Sequence, residues 1–448
     1  MTQPLSDLTA QLLDLARKAG ADQADAIAVE GTSVSIDVRA GALEQAERSE
    51  GIDIGLRVLI GQRQANVSSS DTKPDTLRQM VERAIAMAKE APEDPYAGLA
   101  DVSQLAKTTD NSALELFDPS EEPDPAALQD DAARAEAAAL ENKGISQVQS
   151  ASAGYNKSRV HLSASNGFSA GYARTSRGLS CVAISGTGTG MERDYDYDSR
   201  IFQSELRDAA EIGRTAAERA VERVGARKPK TGAYPVVFDE RISSSLIGHL
   251  LQAINGAAIA RGSSWLRDAL GEQVLPDGLS IIEDPHRVRT SSSRMFDAEG
   301  LATSRRAIVD NGILTGWTLD LANARKLGME STANAVRGTS SPPSPSLSNI
   351  ALTQGDQSRA ELLAQMGTGL LITSMIGSTI NPNTGDYSRG ASGFWVENGE
   401  ITFAVNKCTV AGNLRDMLMR MTPANDAKLH LSHVVPSLLV EGLTLAGD

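Results

Sequence analysis

Hydrolytic chemistry needs either an activated nucleophile or a metal-bound water, and few residues of this chain could supply one. The five histidines are His161, His249, His286, His430 and His433. None stands in an H-E-x-x-H frame, the spacing that turns two imidazoles of one helix onto one metal. His430 and His433 lie three apart and, joined by His249, would make a three-histidine metal site; ordinary surface or core histidines are the plainer reading. There is no G-x-S-x-G elbow, and neither Cys181 nor Cys408 sits in a recognisable catalytic setting. In DYDYDSRIFQSE, residues 194–205, Asp194, Asp196, Asp198, Ile201 and Glu205 fall on positions 1, 3, 5, 8 and 12 of an EF-hand loop. Ser199 stands where that loop needs glycine, and the preceding AISGTGTG cannot form the entering helix, so calcium binding is not expected. GTGTG (186–190) lacks the lysine and following helix of a phosphate loop and reads as a glycine-rich turn.

Any site must be held by the elements around it. Leu5, Leu8, Leu12, Leu15 and Ala19 recur at helical spacing, with Gly20 as the stop. Val34, Ile36 and Val38 alternate with polar neighbours, and Ile52, Ile54, Leu56, Val58 and Ile60 repeat the pattern between glycine-marked turns. Such spacing predicts hairpins and an antiparallel meander. Leu77, Met80, Val81, Ala84, Ile85 and Ala88 define a second helix between Pro74 and Pro92. Residues 92–125, rich in Pro, Asp and Glu, read as a loop-rich connection. The arrangement then recurs, with a helix near 126–142, strands over 145–202 and a helix ending at Val224. The chain therefore reads as an α+β fold. An N-terminal region of antiparallel sheets with helices (1–225, halves 1–91 and 125–225) precedes a β-rich C-terminal domain (226–448). GARKPKTG marks the boundary, and the second region opens with the strand YPVVFD and a helix near 241–260. Two loops stand out, 340–349 and 381–393, either as surface turns or as substrate-facing lining.

The bulk numbers exclude several classes. At 448 residues the chain has material for two or three domains. Its formal charge of −14 repels phosphate backbones, and the densest basic stretch, Arg223–Lys230, is short, so nucleic-acid binding is disfavoured. No apolar run approaches the ~18–20 residues that cross a bilayer. The N-terminus has early acidic residues and no continuous apolar segment, unlike a secretory signal. Two distant cysteines do not make a disulfide framework; a soluble protein of the reducing cytoplasm is expected.

Several stretches carry a resemblance: RGSSWLRDALGEQV (261–274), SRMFDAEGLATSRRAIVDNGILTGW (293–317), STANAVRG (331–338), TGDYSRGASGFWVENGEI (384–401) and AVNKCTVAGNL (404–414). Their order and spacing make the chain similar to the TldD/PmbA peptidase family over nearly its whole length. TldD-type subunits of that family carry an HExxxH helix that binds zinc together with a later cysteine. Registering that helix through the shared G-[ST]-S turn puts its first His on Ile247, its Glu on Gly248 and its second His on Gln252. His249 then falls off the face of the pair, and KLHLSHVVPSLL has no cysteine where the third ligand belongs. The resemblance thus implies a PmbA (TldE)-type subunit with a degenerate metallopeptidase helix and no catalytic or metal-binding residues of its own. Zinc is expected in a TldD-type partner. It further implies a heterodimer, or a homodimer when alone, that takes unfolded peptides in extended form, in maturation of small peptides and degradation of a labile antitoxin. A family association with DNA gyrase is read as indirect. The lining would include Asn381, Thr384, Gly385, Asp386 and Ser388. Two alternatives stay open: an active homodimeric metallopeptidase using His249, His430 and His433, and a regulatory protein that grips extended peptides without cleaving them.

Overall fold

A computed structural model describes residues 3–447. Four helices and six strands make up the N-terminal part: α1 (Leu5–Lys18), β1 (Gln23–Arg39), β2 (Ala42–Ile60), β3 (Arg63–Ser69), α2 (Pro74–Glu90), α3 (Pro125–Leu140), β4 (Ile145–Ala164), β5 (Ser169–Ser185), β6 (Glu192–Arg200) and α4 (Ala209–Glu222). Two α–βββ–α units thus follow each other, and their sheets fuse through β1–β4 pairing into one antiparallel sheet, order β3-β2-β1-β4-β5-β6. α1 and α2 bury Leu8, Leu12, Leu77 and Val81 against Ile54, Leu56 and Val58. α3 and α4 cover Val34, Ile36, Val38 and Leu179. α3 and α4 touch backbone to backbone: a Cβ on Gly213 would lie 2.0 Å from the Ala135 carbonyl oxygen, so only glycine fits.

β7 (Gly232–Phe238) and α5 (Glu240–Ala253) open the C-terminal part. β7 runs parallel to Gly369–Ile380 and antiparallel to Leu438–Ala446. Asp386–Glu397 and Glu400–Asn413 extend the sheet, and Thr409–Ala411 pair back onto Leu438–Ala446, closing a barrel. One face of these strands carries Val236, Phe238, Leu370, Ile372 and Val405 in a core shared with α5. Val237, Leu371 and Val396 point the other way, onto the helix Arg359–Met366. The fold is α+β, with a β-rich C-terminal part.

Two sequence expectations are corrected. The helix expected near 241–260 breaks at Ile254–Asn255, because Asn255 caps a new short helix and the Gly256 N–H donates to the Thr318 carbonyl at 2.8 Å. The loop expected over 381–393 is a tight turn, 381–385, after which Asp386 begins a strand. Asp194, Asp196 and Asp198 lie on β6, within the strand region expected over 145–202. Period-two spacing sends all three to one buried face, where Arg219 meets Asp196 at 2.8 Å and Arg241 meets Asp194 at 2.9 Å.

A second buried charge cluster docks the sheet on the C-terminal part. Asp25 on β1 accepts from Arg57 on β2 at 2.6 Å and pairs with Arg337. Beside it the chain passes so close that a Cβ on Gly55 would lie 2.1 Å from the Thr339 carbonyl oxygen. Glu299 completes the cluster, accepting from the Leu321 N–H at 2.9 Å. Burial, with Asp297 nearby, pushes the Glu299 carboxyl from 4.5 up to about 8. A folded-state pKa above the unfolded value means that the native state keeps a proton the unfolded chain releases, so this group's contribution falls as pH rises from 4.5 to about 8. Glu299→Gln keeps the acceptor for Leu321 and removes the titration. Thermal melts at pH 5 and pH 8 should show the variant gaining on the native chain at pH 8; an equal pH slope in both proteins would refute this.

Candidate functional site

α5 is the element that any family-type chemistry would use, and its rotation follows from its sequence. Asp239 caps it, accepting from the Arg241 N–H at 3.1 Å, and is itself held by Arg241 and Arg359. Leu246, Ile247 and Leu250 are fully buried against the barrel. The opposite stripe, Ser245, Gly248, His249 and Gln252, is half-buried to exposed, as positions i, i+3, i+4 and i+7 require.

This geometry decides what the expected motif positions do. Ile247 is locked in the core, while Gln252 is exposed. They do not converge. Gly248 does face open space: a Cβ built there meets nothing within 4 Å. His249 lies on the open stripe with Ser245 and Gln252, away from the buried Ile247.

The 386–397 strand crosses this stripe. Tyr387 and Arg389, two apart, come to the same side. The His249 and Tyr387 rings meet edge to face at 5.8 Å. Arg389 donates from Nε to the Gly377 carbonyl at 2.7 Å and from Nη1 to Ser245 Oγ at 3.4 Å. Burial, reinforced by the Arg389 charge, pushes His249 down to about 4, so its imidazole is neutral. Its Nε2 is buried without a hydrogen-bond partner. Burial likewise raises Tyr387 to about 12. Ser245, Tyr387 and Arg389 escaped the sequence reading, although i+4 from Ser245 and i+2 from Tyr387 were the signals that would have found them.

The turn expected to line the site satisfies itself. Thr384 Oγ1 donates to Asp386 Oδ2 at 2.6 Å, and Asn413 Nδ2 donates to Asp386 Oδ1 at 3.1 Å. These bonds hold the Asp386 carboxyl below its ordinary value. Asn381 Oδ1 accepts from the Asn383 N–H at 3.0 Å, Gly385 takes the positive φ of +80° over the Trp265 ring, and Ser388 is half-buried in the strand. Asn381, Thr384 and Asp386 therefore shape the hairpin tip, with their side-chain polar groups spent on each other.

The residues do not fit a zinc site of the family type. An aliphatic side chain, a glycine and an exposed amide occupy the three helix positions, and a lone neutral histidine sits beside an arginine. Among the described residues no three His, Cys, Asp or Glu side chains group closely enough to hold a metal. His249 is thus not joined by His430 and His433, which line a separate cavity. Both thiols are buried, and burial pushes Cys181 up to about 12 and Cys408 up to about 11, far from a reactive thiolate.

Comparisons with known proteins fit this geometry. Three family models match in order: PmbA/TldA metallopeptidase domain 1 over residues 24–88, the central domain over 118–224 and the C-terminal domain over 231–447. Metalloprotease PmbA of Escherichia coli O157:H7 is 36% identical over 447 residues, 99% of this chain and 96% of the relative. A PmbA homologue of Haemophilus influenzae is 37% identical over 449 residues, covering 100% and 97%. A crystal structure of a candidate modulator of DNA gyrase from Bacteroides thetaiotaomicron superposes with a TM-score of 0.91 at 28% identity, covering 99% of this chain and 98% of that one. TldE of Thermococcus kodakarensis, at 18% identity and TM-score 0.83 over 98% and 99% of the chains, shares the fold.

His249→Phe tests the stripe. A histidine held below its unfolded value of 6.5 adds stability that is fully present above pH 6.5 and is lost as pH falls toward about 4. The Phe variant should unfold later than the native chain at pH 4.5 and show a shallower acid transition; greater acid sensitivity in the variant would contradict the geometry.

Proposed function

The chain belongs to the PmbA/TldD metallopeptidase family, and from that premise we propose that it is the partner subunit of a zinc peptidase, without a catalytic centre of its own. The carrying observation is the outward stripe of α5: Ser245, Gly248, His249 and Gln252 contain no carboxylate and a single imidazole. A zinc peptidase helix needs two converging imidazoles and a carboxylate to act as base on the bound water. The relatives' names call them metalloproteases; in this reading the catalytic zinc of such a complex is held by a TldD-type subunit with an intact HExxxH helix. This chain contributes a wall. Its hairpin tip is stiffened by internal hydrogen bonds, and Arg389 is fixed over Ser245, so the surface is preorganised. Extended peptides are the substrates that such a wall handles best, because main-chain pairing is indifferent to side-chain sequence. No helix among the described residues is long and apolar enough to cross a membrane, and we place the complex in the cytoplasm.

The experiment is a cleavage assay on an unfolded peptide with three preparations: this chain alone, a TldD-type subunit alone, and both together. Activity should be absent from this chain alone and rise at least about tenfold over the TldD-type subunit on mixing, with loss on replacing that subunit's HExxxH glutamate by glutamine. Robust cleavage by this chain alone would overturn the reading.

A further inference from the structure

A cavity of about 480 Å³, within the size range of small-ligand sites, opens between β6, the first turn of α5 and the segment around Lys428–His433. It is separate from the open stripe and has its own chemistry. β6 is an edge strand, paired only with β5. The Tyr195 N–H donates to Asp194 Oδ1 at 2.8 Å and its carbonyl accepts from Arg219 at 3.0 Å, so its backbone groups point away from β5. Backbone direction alternates along an antiparallel strand. Tyr197 and Ser199 therefore point their N–H and carbonyl groups the same way as Tyr195, and both line the cavity.

Charge is arranged asymmetrically around this edge. Acidic groups are withdrawn: the side chains of Asp196 and Asp198 are 5% and 3% exposed and are neutralised by Arg219, Arg207 and Arg200. Cations are presented: Arg359 is 46% and Lys428 42% exposed. Each makes one ion pair, to Asp239 and to Glu240 at 2.7 Å respectively, and each keeps further donors, five being available on a guanidinium and three on an ammonium. The first turn of α5 lies at the same wall, its N-terminal N–H groups capped by Asp239. A strand edge with outward main-chain groups, beside cations with unused donors, is complementary to an extended peptide bearing a carboxylate.

We propose that this cavity is a carboxylate-recognition site for an extended peptide, which pairs with the Tyr197–Ser199 edge and places its carboxylate between Arg359 and Lys428. The inference rests on the peptide-handling role proposed above and gives that role a determinant that the α5 stripe lacks. The carboxylate comes either from a peptide C-terminus or from an acidic side chain, and the test separates the two.

Fluorescence anisotropy on the isolated full chain uses three short labelled peptides of one unstructured sequence: free C-terminus, C-terminal amide, and amide with a glutamate replacing an internal glutamine. The free-terminus peptide should bind at least about tenfold tighter than the plain amide, as charge-assisted pairing predicts. Equal tightness of the glutamate-bearing amide would support the site with a side chain as the source. Lys428→Gln and Arg359→Gln should each shrink the preference, whereas Arg267→Gln, whose exposed side chain pairs with Asp268, should preserve it. Lys428→Gln keeps a side-chain donor for Glu240 and lies outside the α5 cap, so it carries the test even if Arg359→Gln weakens that cap. Equal binding of all three peptides, no binding by the native chain, or a preference that survives both substitutions would overturn the proposal. Those failures would leave partner-dependent cleavage, measured separately, untouched.

Discussion

Burial of Leu246, Ile247 and Leu250 against Val236, Phe238 and Leu370 is the contact on which the functional reading depends. Truncating a fully buried leucine or isoleucine costs about 2–5 kcal/mol, so the helix cannot roll about its axis without losing its place in the barrel. A roll large enough to bring Ile247 outward would carry Ser245 and His249 toward the apolar interior. The core thus fixes which residues of α5 face outward. In this chain they are a serine, a glycine, a neutral histidine and an amide, faced by Arg389.

Electrostatics settles how the two parts of the molecule are joined. Asp25 with Arg57 and Arg337 marks one junction, and Asp194 with Arg223 and Arg241 marks another. Buried pairs of this kind add little net stability compared with apolar replacements, but removing one partner strands a buried charge at a cost of about 3–5 kcal/mol. Their effect is to make one docking geometry much better than its neighbours. The consequence reaches the peptide-facing surfaces, because Arg241 belongs to α5 and Asp194 to β6, the two elements that flank the proposed carboxylate site.

Much of the fold was legible because local periodicity and burial agree. Val34, Ile36 and Val38 alternate in sequence and are buried in the sheet, and Leu77 through Ala88 keep helical spacing and face the core. Legibility ended where tertiary contacts decide. A capping Asn255 and the Thr318 carbonyl split a helix that its apolar content would continue. Asp194, Asp196 and Asp198 were legible as strand, but their arginine partners, Arg219, Arg223 and Arg241, come together only in the fold. The site was half legible. The residue types at 247, 248 and 252 can be read from the sequence, whereas the outward position of His249 and the approach of Arg389 depend on helix rotation and strand crossing.

The proposed role rests on a family fold whose outward α5 stripe carries one imidazole and no carboxylate. The most direct test is the zinc-to-protein ratio of the chain purified alone, by elemental analysis after exchange into metal-free buffer. The account predicts a ratio near zero, since no described side chains converge to hold the ion. Near-stoichiometric zinc that withstands exchange would contradict it and require a ligand set that the rotation of α5 excludes.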